Sequence, residues 1–304
     1  MSNLNSVEGM LLKAIGGLYY AETPLGILEC KARGIFRKQN ISPCAGDKVI
    51  ITNITDNKGV VDKILPRKNS IIRPPLANLD YIVFVTSTCE PAPNLTLLDK
   101  FLAIAKYKEI KSIIAVTKLD LQKNSELMDI YINSGAEFIE IDYENPESYM
   151  KLYDMIADKI AAFTGNTGVG KSTLLNHISK DLDIKTGEIS QKLGRGRHTT
   201  RNVELYKLNN GGYIADTPGF STFETQKYDI IFKDDLASCF PEFSDYETKC
   251  RFPDCAHMKE KGCMVVDAVN AGIIPTSRYN SYVEMYEEAK MLKEWELKHK
   301  GGAI

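Results

Sequence analysis

Residues Gly165-Asn166-Thr167-Gly168-Val169-Gly170-Lys171-Ser172 fit the pattern G-x-x-x-x-G-K-[ST]. The glycines let successive backbone N–H groups approach and cradle phosphate oxygens, and the helix that follows adds its N-terminal dipole. Lys171 is expected to bridge the β- and γ-phosphates and Ser172 to ligate Mg²⁺, so Gly165 through Thr173 form the candidate cofactor-binding loop. Downstream, Asp216-Thr217-Pro218-Gly219 follows a strand-like Tyr213–Ala215. Alone it is a turn, but beyond a phosphate loop it suits a carboxylate, Asp216, steering Mg²⁺ through water, and a glycine, Gly219, whose N–H meets the γ-phosphate. Between the two lies the polar, basic segment Gly194-Arg195-Gly196-Arg197-His198-Thr199-Thr200-Arg201, in which a threonine could complete the Mg²⁺ shell.

A second constellation is metal-ligating. Cys250-x4-Cys255-x-His257-x5-Cys263 offers three thiolates and an imidazole within 14 residues, a tetrahedral set for structural Zn²⁺ with no position left for a catalytic water. The other four of the seven cysteines, Cys30, Cys44, Cys89 and Cys239, are scattered, which fits metal binding in a reducing compartment better than disulfides.

These groups need elements to hold them. Runs such as Leu11–Ile15, Leu25–Cys30 and Lys48–Ile54, broken by turn signals, read as a small all-β barrel before residue 66. The stretch from Pro66 to Pro75, basic and proline-rich, reads as a linker. Beyond it, strand-length apolar runs at Tyr81–Thr86, Ser112–Thr117, Glu137–Ile141 and Ile160–Thr164 alternate with helical ones, the mark of an open, mostly parallel α/β sheet. Val203–Leu208 and Tyr213–Ala215 read as an adjacent hairpin, and the chain ends in the charged amphipathic stretch Tyr279–Lys300.

At 304 residues and 43% apolar the chain can bury sizeable cores, and its net charge of −2 rules out a global basic excess for nucleic acid. No apolar run reaches membrane-span length, and residues 1–10 carry neither basic residue nor signal-like apolar stretch, so a cytoplasmic protein without membrane or DNA partners is expected.

Thr117-Lys118-Leu119-Asp120, at the end of a predicted strand, resembles the [NT]-K-x-D guanine motif of GTPases. A carboxylate such as Asp120 accepts two hydrogen bonds from the N1–H and amine of guanine, which adenine cannot supply, while the Lys118 stem packs on the ring. The motif lies about 45 residues before the phosphate loop, whereas most GTPases place it after, so the domain reads as circularly permuted.

This order, with the barrel in front and the Cys/His cluster behind, resembles the RsgA (YjeQ/YloQ) family of small-ribosomal-subunit-dependent GTPases. The resemblance rests on Pro43-Cys44-Ala45-Gly46-Asp47, Arg67 through Arg73-Pro74, Ala77-Asn78-Leu79-Asp80, Thr117-Lys118-Leu119-Asp120, the phosphate loop, Gly196–Arg201 and Asp216–Phe220. It implies a multidomain chain: an N-terminal all-β OB-type barrel (1–66), a linker (67–76), a central α/β P-loop GTPase domain, circularly permuted (77–225), and a C-terminal α-helical zinc-binding domain (226–304). It further implies GTP hydrolysis stimulated by the small ribosomal subunit and coupled to release, in late maturation of that subunit. Contact with rRNA follows from the same resemblance, with Lys31, Arg33, Phe36, Arg37 and Lys38 as barrel candidates. Phe220, unable to hydrogen-bond water, follows Gly219, and the resemblance points to His198 as the water-positioning group and to Thr200 over Thr199 as the Mg²⁺ ligand. One departure stands out: the usual S-A-[K/L] loop behind guanine is absent, and Ile141-Asp142-Tyr143-Glu144 stands near its place. The competing expectations are a non-enzymatic RNA-binding adaptor with a structural nucleotide, and an ATP-dependent RNA enzyme.

Overall fold

The computed structural model describes residues 6–39, 41–123, 125–179, 203–216 and 230–292. The N-terminal strands are β1 (Ser6–Ile15), β2 (Leu18–Thr23), β3 (Gly26–Ala32), β4 (Lys48–Thr55) and β5 (Lys58–Ile64), with the short helix α1 (Ile35–Lys38) after β3. They close into a barrel of order β1-β2-β3-β5-β4, with β3 and β5 parallel and β4 back against β1. The period-2 pattern of each strand explains the closure: Leu11, Ala21, Leu28, Cys30, Val49, Ile51 and Val61 point inward and are fully buried, while their neighbours face out. Phe36 on α1 belongs to this same core, which corrects its expectation as an RNA-contacting residue: an aromatic ring beside a barrel mouth gains more from apolar burial than from exposure. Lys31, Arg33 and Lys38 are exposed, Arg33 paired with Asp62, and the side chain of Arg37 lies outside what the structure describes.

The stretch 67–76, expected as a linker, carries most of a hairpin formed by β6 (Ser70–Ile71) and β7 (Leu76–Ala77). Its stability comes from the residues that carried the resemblance. Asp47, with no exposed surface, accepts Cys44 N–H (2.8 Å) and two nitrogens of Arg67 (2.6 and 2.8 Å). Gly46, at φ +89°, lies so close to Ala77 that a Cβ would sit 2.1 Å from its carbonyl oxygen, and Asn78 Nδ2 donates to Gly46 O (2.8 Å). These positions are therefore structural, locking hairpin to barrel.

The central sheet has the order β10-β9-β8-β11-β13-β12, formed by β8 (Tyr81–Ser87), β9 (Lys111–Thr117), β10 (Glu137–Glu140), β11 (Ile160–Thr164), β12 (Leu205–Lys207) and β13 (Tyr213–Asp216). Strands β8 and β11 are buried along their whole length, as parallel strands covered on both faces must be. Helices α2 (Leu95–Tyr107), α3 (Ser125–Tyr131), α4 (Pro146–Met155) and α5 (Lys171–Ile178) alternate with the strands. Asn94 caps α2, its Oδ1 accepting Leu97 N–H at 3.0 Å. The edge strand β12 runs antiparallel to β13, as the sequence pattern predicts.

Among the described residues the tail contains α6 (Lys233–Leu236), two 3₁₀ turns, α7 (Ser244–Glu247), α8 (Met264–Asn270) and α9 (Thr276–Lys290); the end of the predicted stretch, residues 293–300, lies outside them. Two compact units emerge from the packing: Met1–Ile82, Tyr149–Thr164 and Lys171–Tyr228 make one, and Val83–Ser148, Gly165–Gly170 and Asp229–Ile304 the other. In the first, Glu22 of β2 accepts Lys207 Nζ (2.7 Å) and the Tyr213 hydroxyl, and Lys13 of β1 pairs with Glu204 (2.7 Å), tying the barrel to the β12–β13 hairpin. In the second, α9 lies along α2. Among the described residues no helix is long and apolar enough to cross a membrane.

Candidate functional site

The phosphate loop leaves β11 at Gly165 and enters α5 at Lys171. Glycine is demanded twice over. Gly165 (φ +150°) passes so near β8 that a Cβ would lie 2.3 Å from Val85 O, and Gly168 and Gly170 adopt φ of +85° and +90°. Val169 is buried as the loop's anchor, whereas Thr167, Gly168, Ser172 and Thr173 are exposed and Asn166 and Lys171 half-buried.

Thr117, Lys118 and Asp120 follow from β9. The Thr117 hydroxyl, fully buried, donates to Val169 O at 2.6 Å, with Thr86 O at 3.2 Å. The expected base-reading motif and the phosphate loop are therefore in direct contact although 52 residues separate the two partners. Lys118 takes a left-handed conformation (φ +60°), its carbonyl accepts the Thr88 hydroxyl (2.7 Å) and Leu121 N–H (3.1 Å), and its ammonium reaches Glu90 O. The turn this builds leaves Asp120 exposed at the strand end, open to a ligand.

On the neighbouring strand, Ile141 N–H donates to Val116 O (2.7 Å), carrying the β9–β10 ladder one residue past β10. The loop then closes on itself: Asp142 N–H donates to Ser148 Oγ (2.9 Å) and Glu144 N–H to Asp142 Oδ1 (2.9 Å). From this loop the Tyr143 hydroxyl donates to Gly170 O (3.0 Å). The sequence marks Asp142–Glu144 only as a departure from the usual tripeptide; the tyrosine's contact with the phosphate loop has no local signature.

Strand β13 pairs in parallel with β11, Asp216 opposite Phe163, so it ends level with the strand that feeds the loop. His198, Thr199, Thr200 and Gly219 lie outside the described residues.

The metal-ligating set converges. The ligand atoms of Cys250, Cys255, His257 and Cys263 lie within 4.8 Å of one another. Cys250 Sγ and Cys263 Sγ stand 3.6 and 3.5 Å from His257 Nδ1 and 4.0 Å apart. Tetrahedral Zn–S bonds of about 2.3 Å require sulfurs roughly 3.8 Å apart, so the donors fit that ion in type, number and spacing. Burial holds the His257 imidazole below its ordinary value, keeping it neutral as a ligand must be. The loop is braced from outside: Glu260 accepts N–H groups of Ala256, Met258 and Lys259, and the Tyr279 and Tyr282 hydroxyls of α9 donate to carbonyls of Met258 (2.7 Å) and Ala256 (2.8 Å).

The RsgA GTPase family model matches residues 64–226 and the RsgA N-terminal domain model residues 8–61. The chain belongs to the RsgA GTPase family. The chain is 40% identical over 290 residues to the small ribosomal subunit biogenesis GTPase RsgA of Caldanaerobacter subterraneus subsp. tengcongensis, covering 94% of this chain and 97% of that one. With the RsgA of Streptococcus pneumoniae serotype 4 it shares 41% over 288 residues, 95% and 96% of the two chains. Two crystal structures resemble it at 32% identity over 95% of this chain: YjeQ from Thermotoga maritima, all of which is covered, at a TM-score of 0.80, and YloQ, a circularly permuted GTPase, 96% covered, at 0.75. As an RsgA-family chain it has the expected architecture of N-terminal barrel, permuted GTPase domain and a Cys₃His-bearing tail.

Proposed function

We propose that this protein binds and hydrolyses GTP on the small ribosomal subunit during its late maturation, in the cytoplasm, with the subunit stimulating hydrolysis and hydrolysis driving release. The names of its relatives supply the subunit. The observation that carries the chemistry is the Thr117–Val169 contact, which joins base-reading and phosphate-binding residues in one site despite their inverted order in the chain.

In this reading Asp120 takes the N1–H and amine of guanine and Lys118 covers the ring. Backbone N–H groups of Gly165–Gly170 hold the phosphates, Lys171 neutralises charge developing between the β- and γ-phosphates, and Ser172 and Thr200, with Asp216 steering through water, would hold Mg²⁺, which supplies electrostatic stabilisation of the transferred phosphoryl group. His198 orients the attacking water, and Gly219 N–H senses the γ-phosphate. Because Phe220 offers no hydrogen bond to that water, hydrolysis by the protein alone is slow. Cys250, Cys255, His257 and Cys263 would hold Zn²⁺, whose role is to fold the tail. The exposed Lys31, Arg33 and Lys38 on the barrel are the candidate rRNA contacts.

GTP and ATP hydrolysis by the purified protein, alone and with small or large ribosomal subunits, tests this. Stimulation of GTP hydrolysis by small subunits alone, abolished in His198→Ala, is expected; no preference for GTP, or no effect of small subunits, refutes it.

A further inference from the structure

A phosphate cradle turns its N–H groups toward the ligand, so its carbonyls turn outward and need donors of their own. Two consecutive carbonyls of this loop find hydroxyls. Val169 O takes Thr117 of the base-reading motif, and Gly170 O takes Tyr143, from the loop that stands where guanine is expected to be backed. The phenol lies directly against Gly170, where a Cβ would come within 3.0 Å of its oxygen. The loop also bonds to β9, through Ile141 to Val116 O, and to its own flank, through Asp142 to Ser148 Oγ and Asn145 to Asp142 O. Tyr143 links this loop to the phosphate loop. Burial pushes its phenol up to about 12, so it remains a donor at neutral pH.

We propose that Tyr143 is a positioning residue for guanine selectivity: its hydroxyl fastens the base-side loop, residues 141–145, to the last carbonyl of the phosphate loop, so that the loop is held where guanine meets it. The proposal rests on the nucleotide reading above. It assigns to a side chain what the absent S-A-[K/L] tripeptide would otherwise supply. An adenine nucleotide, which draws nothing from the base-side contacts, gains nothing from the tether.

The test titrates wild type and Tyr143→Phe, which keeps the ring and removes the donor, with fluorescent GDP, GTP, ADP and ATP, and records nucleotide-free melting of both. The expected result is guanine nucleotide affinity reduced about three- to tenfold, the size of one lost hydrogen bond, with adenine nucleotide affinity within about twofold of wild type, so that the preference narrows. Should the variant fail to fold, Tyr143→His, which retains a donor on a smaller ring, is expected to show the same narrowing to a lesser degree. Unchanged GDP affinity, or equal losses for guanine and adenine nucleotides, overturns the proposal. A wild-type protein without guanine preference refutes the nucleotide reading and this inference with it, whereas an intact wild-type preference undiminished in the variants refutes the inference alone.

Discussion

Arg278 of α9 is fully buried, and replacing it with alanine should be among the most damaging single changes outside the nucleotide site. Its Nη1 donates to Asp99 of α2 (2.7 Å), its Nε and Nη2 to Glu242 (2.6 and 3.2 Å), and its guanidinium stands 4.8 Å from the centre of the Phe240 ring. The side chains of Asp99 and Glu242 are 0% and 4% exposed, so Arg278→Ala strands two carboxylates in the core, Asp99 keeping hydrogen bonds from the Tyr131 hydroxyl (2.7 Å) and Ser281 but no charged partner. Breaking a buried pair from one side costs about 3–5 kcal/mol. At about 2–4 °C per kcal/mol for a cooperative unit of this size, melting should fall by about 6–20 °C. The penalty should depend on pH. Burial already raises the Asp99 carboxyl above its ordinary 3.8 against the pull of Arg278, and removing the arginine raises it further. The folded variant then holds a proton that the unfolded chain has released, so its stability falls as pH rises through that window, and the deficit against wild type is larger near pH 8 than near pH 5. Differential scanning calorimetry of both proteins across that range checks this. A drop below about 2 °C, or a deficit constant with pH, would show that the network carries little of the tail's attachment to α2.

Cys263→Ser should reduce bound zinc well below one per chain by atomic absorption and leave the tail protease-sensitive, since Cys263 is both a ligand candidate and the cap of α8, its Sγ accepting Val266 N–H at 3.5 Å. Gly165→Ala should abolish GTP binding in a titration while the barrel's far-ultraviolet signal persists, because the added Cβ meets Val85 O at 2.3 Å. Glu22→Gln should destabilise the protein near neutrality: burial would raise that carboxyl, but the Lys207 and Tyr213 donors outweigh it and hold it below 4.5, so its stabilisation is present above that value and vanishes as pH falls through the folded one. Denaturant melts of wild type and variant should therefore converge in acid; a gap that persists there refutes the pairing.

What the sequence reveals and conceals follows from the range of the interactions. The phosphate loop and the Cys₃His set are written in contiguous residues whose backbone demands are local, so spacing alone locates them. Barrel and sheet strands announce themselves by alternation and by buried apolar runs. Arg278, by contrast, stands just before the stretch that reads as charged and amphipathic, and its partners lie 36 and 179 residues away with no period to link them. Phe36 lies in a short basic run that looks like a nucleic-acid edge, yet one turn of α1 directs its ring into the barrel core. The hairpin within 67–76 is hidden for a similar reason: prolines and basic residues signal a boundary, while the ion pair of Arg67 with buried Asp47 that orders the stretch spans 20 residues.

Circular permutation leaves strand adjacency alone and changes which segments are covalently joined. The residues expected to read the base and to hold phosphate still meet, through Thr117 and Val169, although their order along the chain is inverted. The new consequence lies after β13: among the described residues the strand ending at Asp216 is the last of the sheet along the chain, which continues to α6 at Lys233 and the Cys₃His-bearing tail. A change at the γ-phosphate is thereby offered a covalent route to the tail, where in an unpermuted domain it would meet another strand. Asp216→Ala should then slow together the two events that the proposed coupling joins. It should still load onto small subunits with GTP, yet hydrolyse and dissociate about tenfold or more slowly, as read by pelleting and phosphate release. An Asp216→Ala protein that hydrolyses GTP and leaves the subunit at the wild-type rate would sever this link, and the tail would then be an anchor whose hold does not depend on the nucleotide.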